Sequence, residues 1–315
     1  MKSDRIFMPG LRGISAVFGL IGWLAGVVAV CQARGDSVTL QPSADTSLFE
    51  TAPNNNLGGS LSLVAGSNAS GFRSRALLRF DLAGNIPSNA VIQSVALTVT
   101  VVTLPGGGGA DSIFDLRRVL GDWGEGAGSG NQGSPAGDGE ATWNNRFYPS
   151  ATWTVPGGAV SNDFSAGVSA SMLVSNLGGY TFSSTSNLVA DAQAWLSTPA
   201  ANFGWALMSE SETLHQTARR FGAREDPVNA ASLAVQYVLP SAPDIQWITA
   251  SGNQIHFGFL AQAGRPYSVQ YSDTLAPGGW LILTNIPPQT VTTNIVIADP
   301  LSANLRRFYR IAAPF

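Results

Sequence analysis

The stretch "RALLRFDL", Arg75 to Leu82, sets Ala76, Leu78, Phe80 and Leu82 on one side and Arg75, Arg79 and Asp81 on the other. That period of two is the signature of a half-buried β-strand. The same rhythm recurs outward along the chain. Val95, Leu97, Val99 and Val101 line one face of "SVALTVTVV", and Phe114, Leu116 and Leu120 line one face of "SIFDLRRVL", with Asp115 and Arg117 opposite. Phe203, Trp205 and Leu207 alternate in "NFGWALMSE", as do Leu233, Val235, Tyr237 and Leu239 in "SLAVQYVLP". Turn signals separate these runs: Asn85 to Pro87, "LPGGGG" and "VPGG". No strand–helix–strand rhythm appears, which argues against a parallel sheet.

Composition agrees with many short strands. Charged residues make up 12%, against roughly 25% in an average soluble protein, while glycine (35) and proline (18) are abundant. One helix is predicted in "NLVADAQAWLS", where Leu188, Val189, Ala192, Trp195 and Leu196 form a stripe of helical period. Ser186 or Asn187 can cap it and Pro199 stops it. Gly121 to Gly139 holds eight glycines and few apolar residues, the pattern of a long exposed loop.

Residues 1–33 read as a signal peptide. Lys2, Arg5 and Arg12 precede an uncharged apolar run, Ile14 to Val30, and small residues allow cleavage after Ala33. An uncleaved leader is the one route to membrane contact in this reading. Val30 is too large to precede a lipidated Cys31, and cleavage after Ala33 leaves a mature chain without cysteine. A secreted or cell-surface location follows, with a core large enough to need no disulfide. The "RGD" at Arg34 to Asp36 reads as a chance tripeptide.

Of the 17 basic and 20 acidic side chains, the leader takes Lys2, Arg5, Arg12 and Asp4. A mature chain from Arg34 therefore keeps 14 arginines and 19 acids, a formal charge of −5. Without a basic stripe, a nucleic-acid-binding surface is excluded.

After residues 34–239 the alternation breaks at residues 240–243, Pro-Ser-Ala-Pro, a stiff linker. Residues 244–315 then carry six short strand patterns, "IQWIT", "QIHFGFL", "YSVQYS", "WLILT", "NIVIAD" and "RRFYRIA". Their number and spacing fit a small sandwich of fibronectin or immunoglobulin type.

Four landmarks follow one another in the larger region. They are "ADTSLFETAPNNNLGGSLSLVAGS", "RALLRFDLAGNIPSNAVIQSVALTVTV", "DWGEG" followed by "ATWNNR", and a short helix, a strand, "ARRFGARE" and "LAVQYV". In this order they resemble the exported DNRLRE-domain proteins related to carbohydrate-binding module family 96. The chain has no literal DNRLRE, only "GAREDP", and its glycine loop splits "DWGEG" from "ATWNNR". The resemblance implies a jelly-roll-like antiparallel β-sandwich that recognises polysaccharide, including acidic glycans such as alginate. The C-terminal residues, ending in "RRFYRI", resemble small fibronectin-like modules of exported bacterial proteins.

The candidate chemistry is sparse. His215 in "TLHQTARRFGARE" reads as a turn residue and His256 in "QIHFGF" as a strand position. Neither offers a catalytic triad or, without cysteine, a zinc site. Glu210 and Glu212 read as solvated strand ends rather than a glycosidase pair, whose carboxyls stand across a cleft. If Phe221 packs inward, Arg219 shares its face and needs a buried carboxylate such as Glu225, Asp81 or Asp115. Arg219 and Arg224 are also candidates for gripping sugar carboxylates through the forked guanidinium.

Trp123, Trp143, Phe147, Tyr148 and Trp153 fall in turn-rich sequence, where flat rings can stack on sugars. Trp143 can equally plug the core. Asp45 and Asn54 to Asn56 can offer oxygens to calcium, although no calcium-loop spacing is present and turn formation explains them better. No other cofactor is indicated. These observations predict a non-catalytic carbohydrate-binding or adhesion protein. A structural matrix or surface-coat module is the alternative, and a polysaccharide lyase-type enzyme the third reading.

Overall fold

A computed structural model describes residues 35–106, 108–240, 243–275, 278–300 and 306–313. The leader, with Cys31, and Ser241 and Ala242 of the linker lie outside the described residues. In chain order come β1 Gly35–Leu40, β2 Ala44–Phe49, β3 Asn55–Asn56, β4 Ser62–Ser67, β5 Arg73–Arg79 and β6 Val91–Thr103. Next are β7 Ser112–Arg118, β8 Ser134–Pro135, β9 Asn145–Phe147, β10 Ala151–Thr152, β11 Ala170–Val174 and β12 Gly178–Phe182. Helix α1 (Ser186–Ser197) precedes β13 Trp205–Ser209, β14 Arg219–Gly222 and β15 Ser232–Val238. The C-terminal strands are β16 Ile245–Ser251, β17 Gln254–Ala261, β18 Tyr267–Ser272, β19 Leu281–Ile286, β20 Thr293–Pro300 and β21 Phe308–Ala312.

The first fifteen strands build an all-β, jelly-roll-like sandwich in which every strand ladder is antiparallel. One sheet runs β1-β15-β6-β14-β4, with β12 on the other edge of β6, and the second runs β2-β5-β13-β7-β11. Strand β4 pairs with β14 and, at its end, with β5, so the sheets curl into one another. Between them lie Ala76, Leu78, Phe80, Val95, Leu97, Val99, Val101, Phe114, Leu116, Leu207, Phe221, Leu233 and Val235, the inward residues of the alternating runs. Full burial of one such large side chain is worth about 1.5–3 kcal/mol. Leu120 and Leu239, placed inward by the pattern, are exposed because their strands end at Arg118 and Val238.

The two sheets differ on their outer faces. The outer face of β6 is half-exposed, whereas β13 is buried along its whole length and β5 at all but its ends. A long segment between Val119 and Phe164 crosses the outside of the second sheet and buries Leu48, Leu77, Ala206 and Met208 beneath Trp123, Trp143, Trp153 and Phe164. This roof is the main departure from a simple two-layer sandwich.

Helix α1 buries Leu188, Ala192, Trp195 and Leu196, as its stripe predicts. Its cap is Thr185, one residue before those expected; the Thr185 hydroxyl accepts from the Leu188 amide at 3.0 Å. Pro199 opens a short 3-10 turn after the helix has ended. Trp195 meets Trp205 edge-on at 4.5 Å, and buried Asp191 accepts from the Trp205 indole at 3.0 Å. The helix therefore closes the core both with aromatic packing and with a satisfied polar contact.

The glycine segment is ordered, and its order comes from backbone contact rather than from apolar burial. A side chain at Gly58 would meet the Glu125 carbonyl at 2.3 Å, and one at Gly128 the Asn56 carbonyl at 2.0 Å. Only glycine lets these backbones touch. Short ladder β3–β8 fastens the same place.

Among the described residues, strands β16–β21 pair only among themselves, as β16-β17-β20 and β19-β18-β21. Their own core is Phe257, Phe259, Ala261, Tyr267, Val269, Ile297 and Ile311. This is the small immunoglobulin/fibronectin-like sandwich, with all six strands where the sequence patterns fall. No helix among the described residues is long and apolar enough to cross a membrane.

Candidate functional site

The roof disposes of the side chains that the sequence offered for sugar stacking. Trp123, Trp143 and Trp153 expose only 2%, 3% and 2% of their surface. Trp123 donates its indole N–H to the Phe203 carbonyl at 2.8 Å, and Trp153 donates to the Thr142 carbonyl at 2.9 Å. Rings enclosed in this way present no face to a ligand, so these three are core residues. Tyr148 is half-buried in the same roof, its backbone paired with Glu140 and Gly139.

Arginines of β5 hold the roof from below. The Arg75 guanidinium, buried, donates to both oxygens of Glu212 at 2.7 and 2.6 Å and to the carbonyls of Gly157 and Gly158 at 2.8 and 2.7 Å. It lies 5.5 Å from the Trp143 ring and 5.7 Å from that of Phe164. Arg79 stacks on Trp123 at 4.7 Å and donates to Asp122 at 2.7 Å. Glu212 is thus the partner of a buried cation, not a solvated strand end. Strand parity correctly sent Arg75 and Arg79 away from the central core but carried no notice of the layer above them.

Arg219 shares the inward face with Phe221, yet among the described residues no carboxylate pairs with it. Its guanidinium donates to the carbonyls of Ser175 at 2.8 Å, Ala110 at 2.9 Å, Thr217 at 3.1 Å, Ala218 at 3.2 Å and Gln216 at 3.3 Å. Convergent carbonyl dipoles replace the expected ion pair. Burial lowers the Arg219 pKa, with Asp111 pulling weakly the other way. A guanidinium consumed like this offers nothing to a polysaccharide. The two histidines stay apart, His215 exposed in a turn and His256 on the outer face of β17.

A tighter constellation forms where β2, the glycine loop and the turn after β14 converge. Asp45 lies on the inner face of edge strand β2, opposite Leu78. Its Oδ2 accepts from the Arg224 amide at 2.7 Å, and its own amide donates to Glu125 Oε1 at 2.8 Å. The Arg224 side chain, half-exposed, donates to Glu125 Oε1 at 2.9 Å and pairs with Glu225 Oε1 at 2.7 Å. Asp45 Oδ1 and Glu225 Oε2 are both buried and have no hydrogen-bond partner among the described residues. Burial first, then the negative charges of Glu225 and Glu125, push the Asp45 carboxyl up to about 7 against the pull of Arg224. Arg224 sits above its usual pKa, since Glu125, Glu225 and Asp45 outweigh its own burial.

Asn56 is the staple beside this corner. Its amide nitrogen donates to the Glu125 carbonyl at 2.6 Å and the Ala141 carbonyl at 2.9 Å, and its oxygen accepts from Gly58 and Gly128 at 2.8 and 3.0 Å. Asn54 Oδ1 accepts from Asn144, and Asn55 donates to the Gln132 carbonyl. The side chains of Asn54, Asn55 and Asn56 thus fasten the turn to the glycine loop and to Asn144. Among the described residues no group of three or more His, Cys, Asp or Glu is placed to hold a metal ion. Asp45 itself is a strand residue, not part of that turn. Its inward parity was readable only once the direction of β2 was known.

One aromatic that the sequence did not single out is presented outward. Trp247 on β16 is 44% exposed and lies across Gly258 of β17, where a side chain would meet indole atoms Nε1, Cε2 and Cζ2 at 2.5–2.8 Å. In register with Gly258 on β20 stands Val296, and two residues along β17 stands Leu260; both are exposed. Thr249, His256 and Asn294 flank this apolar strip. The signal in the sequence was a Trp in one strand aligned with a Gly in the next, legible only with the register in hand.

No protein-family model matches the chain, and no curated protein matches it either.

Proposed function

We propose that the chain is an exported, non-catalytic carbohydrate-binding or adhesion protein of the DNRLRE kind, with its sugar contact on the C-terminal module. The observation that carries the reading is Trp247, an exposed indole whose Nε1, Cε2 and Cζ2 atoms lie over the bare backbone of Gly258. Such a ring matches the apolar face of a pyranose and loses little side-chain entropy on binding. The neighbours Thr249, His256 and Asn294 supply polar groups at the margin, and no arginine stands in that strip. Internal pairing of Arg75, Arg79, Arg219 and Arg224 withdraws the cations that would read a carboxylated glycan. Neutral polysaccharide is therefore the favoured partner over alginate-like acidic chains.

A second reading, a structural coat module without a small ligand, draws support from the same internal use of arginine and tryptophan in the large sandwich. Affinity electrophoresis of the chain from Arg34 against neutral and acidic polysaccharides separates the two. Retardation in a neutral glycan that Trp247→Ala abolishes supports the first reading. Retardation untouched by that change refutes the Trp247 contact, and none in any glycan leaves the structural reading standing.

A further inference from the structure

The corner of Asp45, Glu125, Arg224 and Glu225 holds three carboxyl groups against one guanidinium. Its hydrogen bonds show where the imbalance falls. Arg224 serves Glu125 through Nε and Glu225 through Nη2, and its amide serves Asp45 Oδ2. What remains is one oxygen on each of two acids, Asp45 Oδ1 and Glu225 Oε2, buried and without a donor among the described residues. A buried acceptor left unmet costs about 1–3 kcal/mol, more when charged, so two in one corner call for a missing donor.

We propose that a single proton is held between Asp45 and Glu225, making them an acid–carboxylate pair that locks the turn after β14 onto strand β2 and releases it when the proton is lost. The groups bearing on Asp45 are Glu225 and Arg224 from that turn and Glu125 from the glycine loop, and Glu225 is the strongest of the charges. Protonated, Asp45 donates through its Oδ1–H while Oδ2 keeps the Arg224 amide, and Glu225 Oε2 gains the donor it lacks. Deprotonated, the corner carries three negative charges against one positive, with Asp45 Oδ1 and Glu225 Oε2 both buried. The elements joined there are β2, the turn and the glycine loop through Glu125, so release loosens the anchored end of the loop Gly121 to Gly139.

Among the described residues no group of three or more His, Cys, Asp or Glu is placed to hold a metal ion, which favours a proton over a divalent cation as the occupant, and the two can be told apart. NMR of the Asp45 carboxyl carbon in the full chain should show titration near pH 7 instead of the ordinary 3.8. Asp45→Asn places an amide N–H where the acid holds its proton; it should keep at about pH 8 the melting temperature the parent has at about pH 5, with the slope between them flattened. Glu225→Gln supplies the same donor from the other side and should flatten the slope too, which keeps the test valid if the first variant folds poorly. An unchanged slope in both variants, or Asp45 titrating in the ordinary carboxylate range, overturns the proposal. So does a parent melting temperature that rises with about millimolar calcium and falls with chelator, a response lost in Asp45→Asn.

Discussion

The roof of the large sandwich and the outer face of the small one put tryptophan to opposite uses. In the roof, Trp123 and Trp143 lie over guanidiniums of Arg79, Arg73 and Arg75, and their indoles are sealed by a second layer of chain. In the small module Trp247 lies over Gly258, which has nothing to stack and nothing to pair, so the ring stays at the surface. At these positions the residue under the ring goes with the outcome. Arg75 and Arg79 draw carbonyls and carboxylates around them, and the chain that brings those also covers the rings. A glycine makes no such demand.

The sharpest way to break this contrast is to remove the cation under the roof. Arg75→Ala leaves Glu212 and the carbonyls of Gly157 and Gly158 unmet, and urea denaturation should show a loss of about 3–5 kcal/mol in the large sandwich. Trp153→Ala opens a cavity beside Phe164, 5.7 Å away ring to ring, and should cost about the same, 3–5 kcal/mol.

The acidic corner gives the next effect, and its sign is fixed by the direction of the shift. Asp45 is raised from 3.8 to about 7, so the folded protein binds its proton more tightly than the unfolded chain. The stabilisation is fully present below about pH 4 and is lost as pH rises through about 7, on the order of 4 kcal/mol across that window. Thermal melts between those limits check it, and stability flat or rising over the interval would remove Asp45 as the cause.

Asn56→Ala takes the donors and acceptors from Gly58, Gly128, Glu125 and Ala141 and should cost about 2–3 kcal/mol. Limited proteolysis should then cut the glycine loop faster. Smallest in stability is Trp247→Ala, within about 0.5 kcal/mol since the ring is half outside; its effect belongs to glycan retardation alone.

Much of this was legible from residue patterns. The inner faces of β6, β7, β13 and β15, the stripe of α1 and the six strands of the small module all follow from period alone. The roof was not, because its residues show no period: three indoles and a phenylalanine in turn-rich sequence read equally well as a surface. Arg219 was correctly turned inward by parity with Phe221, but nothing local says that five backbone carbonyls rather than an acid would meet it. The corner draws Asp45, Glu125 and Arg224 from positions far apart in the chain, and Trp247 matters only through its register with Gly258. Long-range pairing of this kind is set by tertiary closure, not by neighbours in sequence.

Solvent accessibility of individual tryptophans tests the central contrast most directly. Graded oxidation of the native chain with N-bromosuccinimide, mapped by peptide mass spectrometry, should modify Trp247 while Trp123, Trp143 and Trp153 stay protected until the protein unfolds. Oxidation of any roof indole as fast as Trp247 would contradict the account.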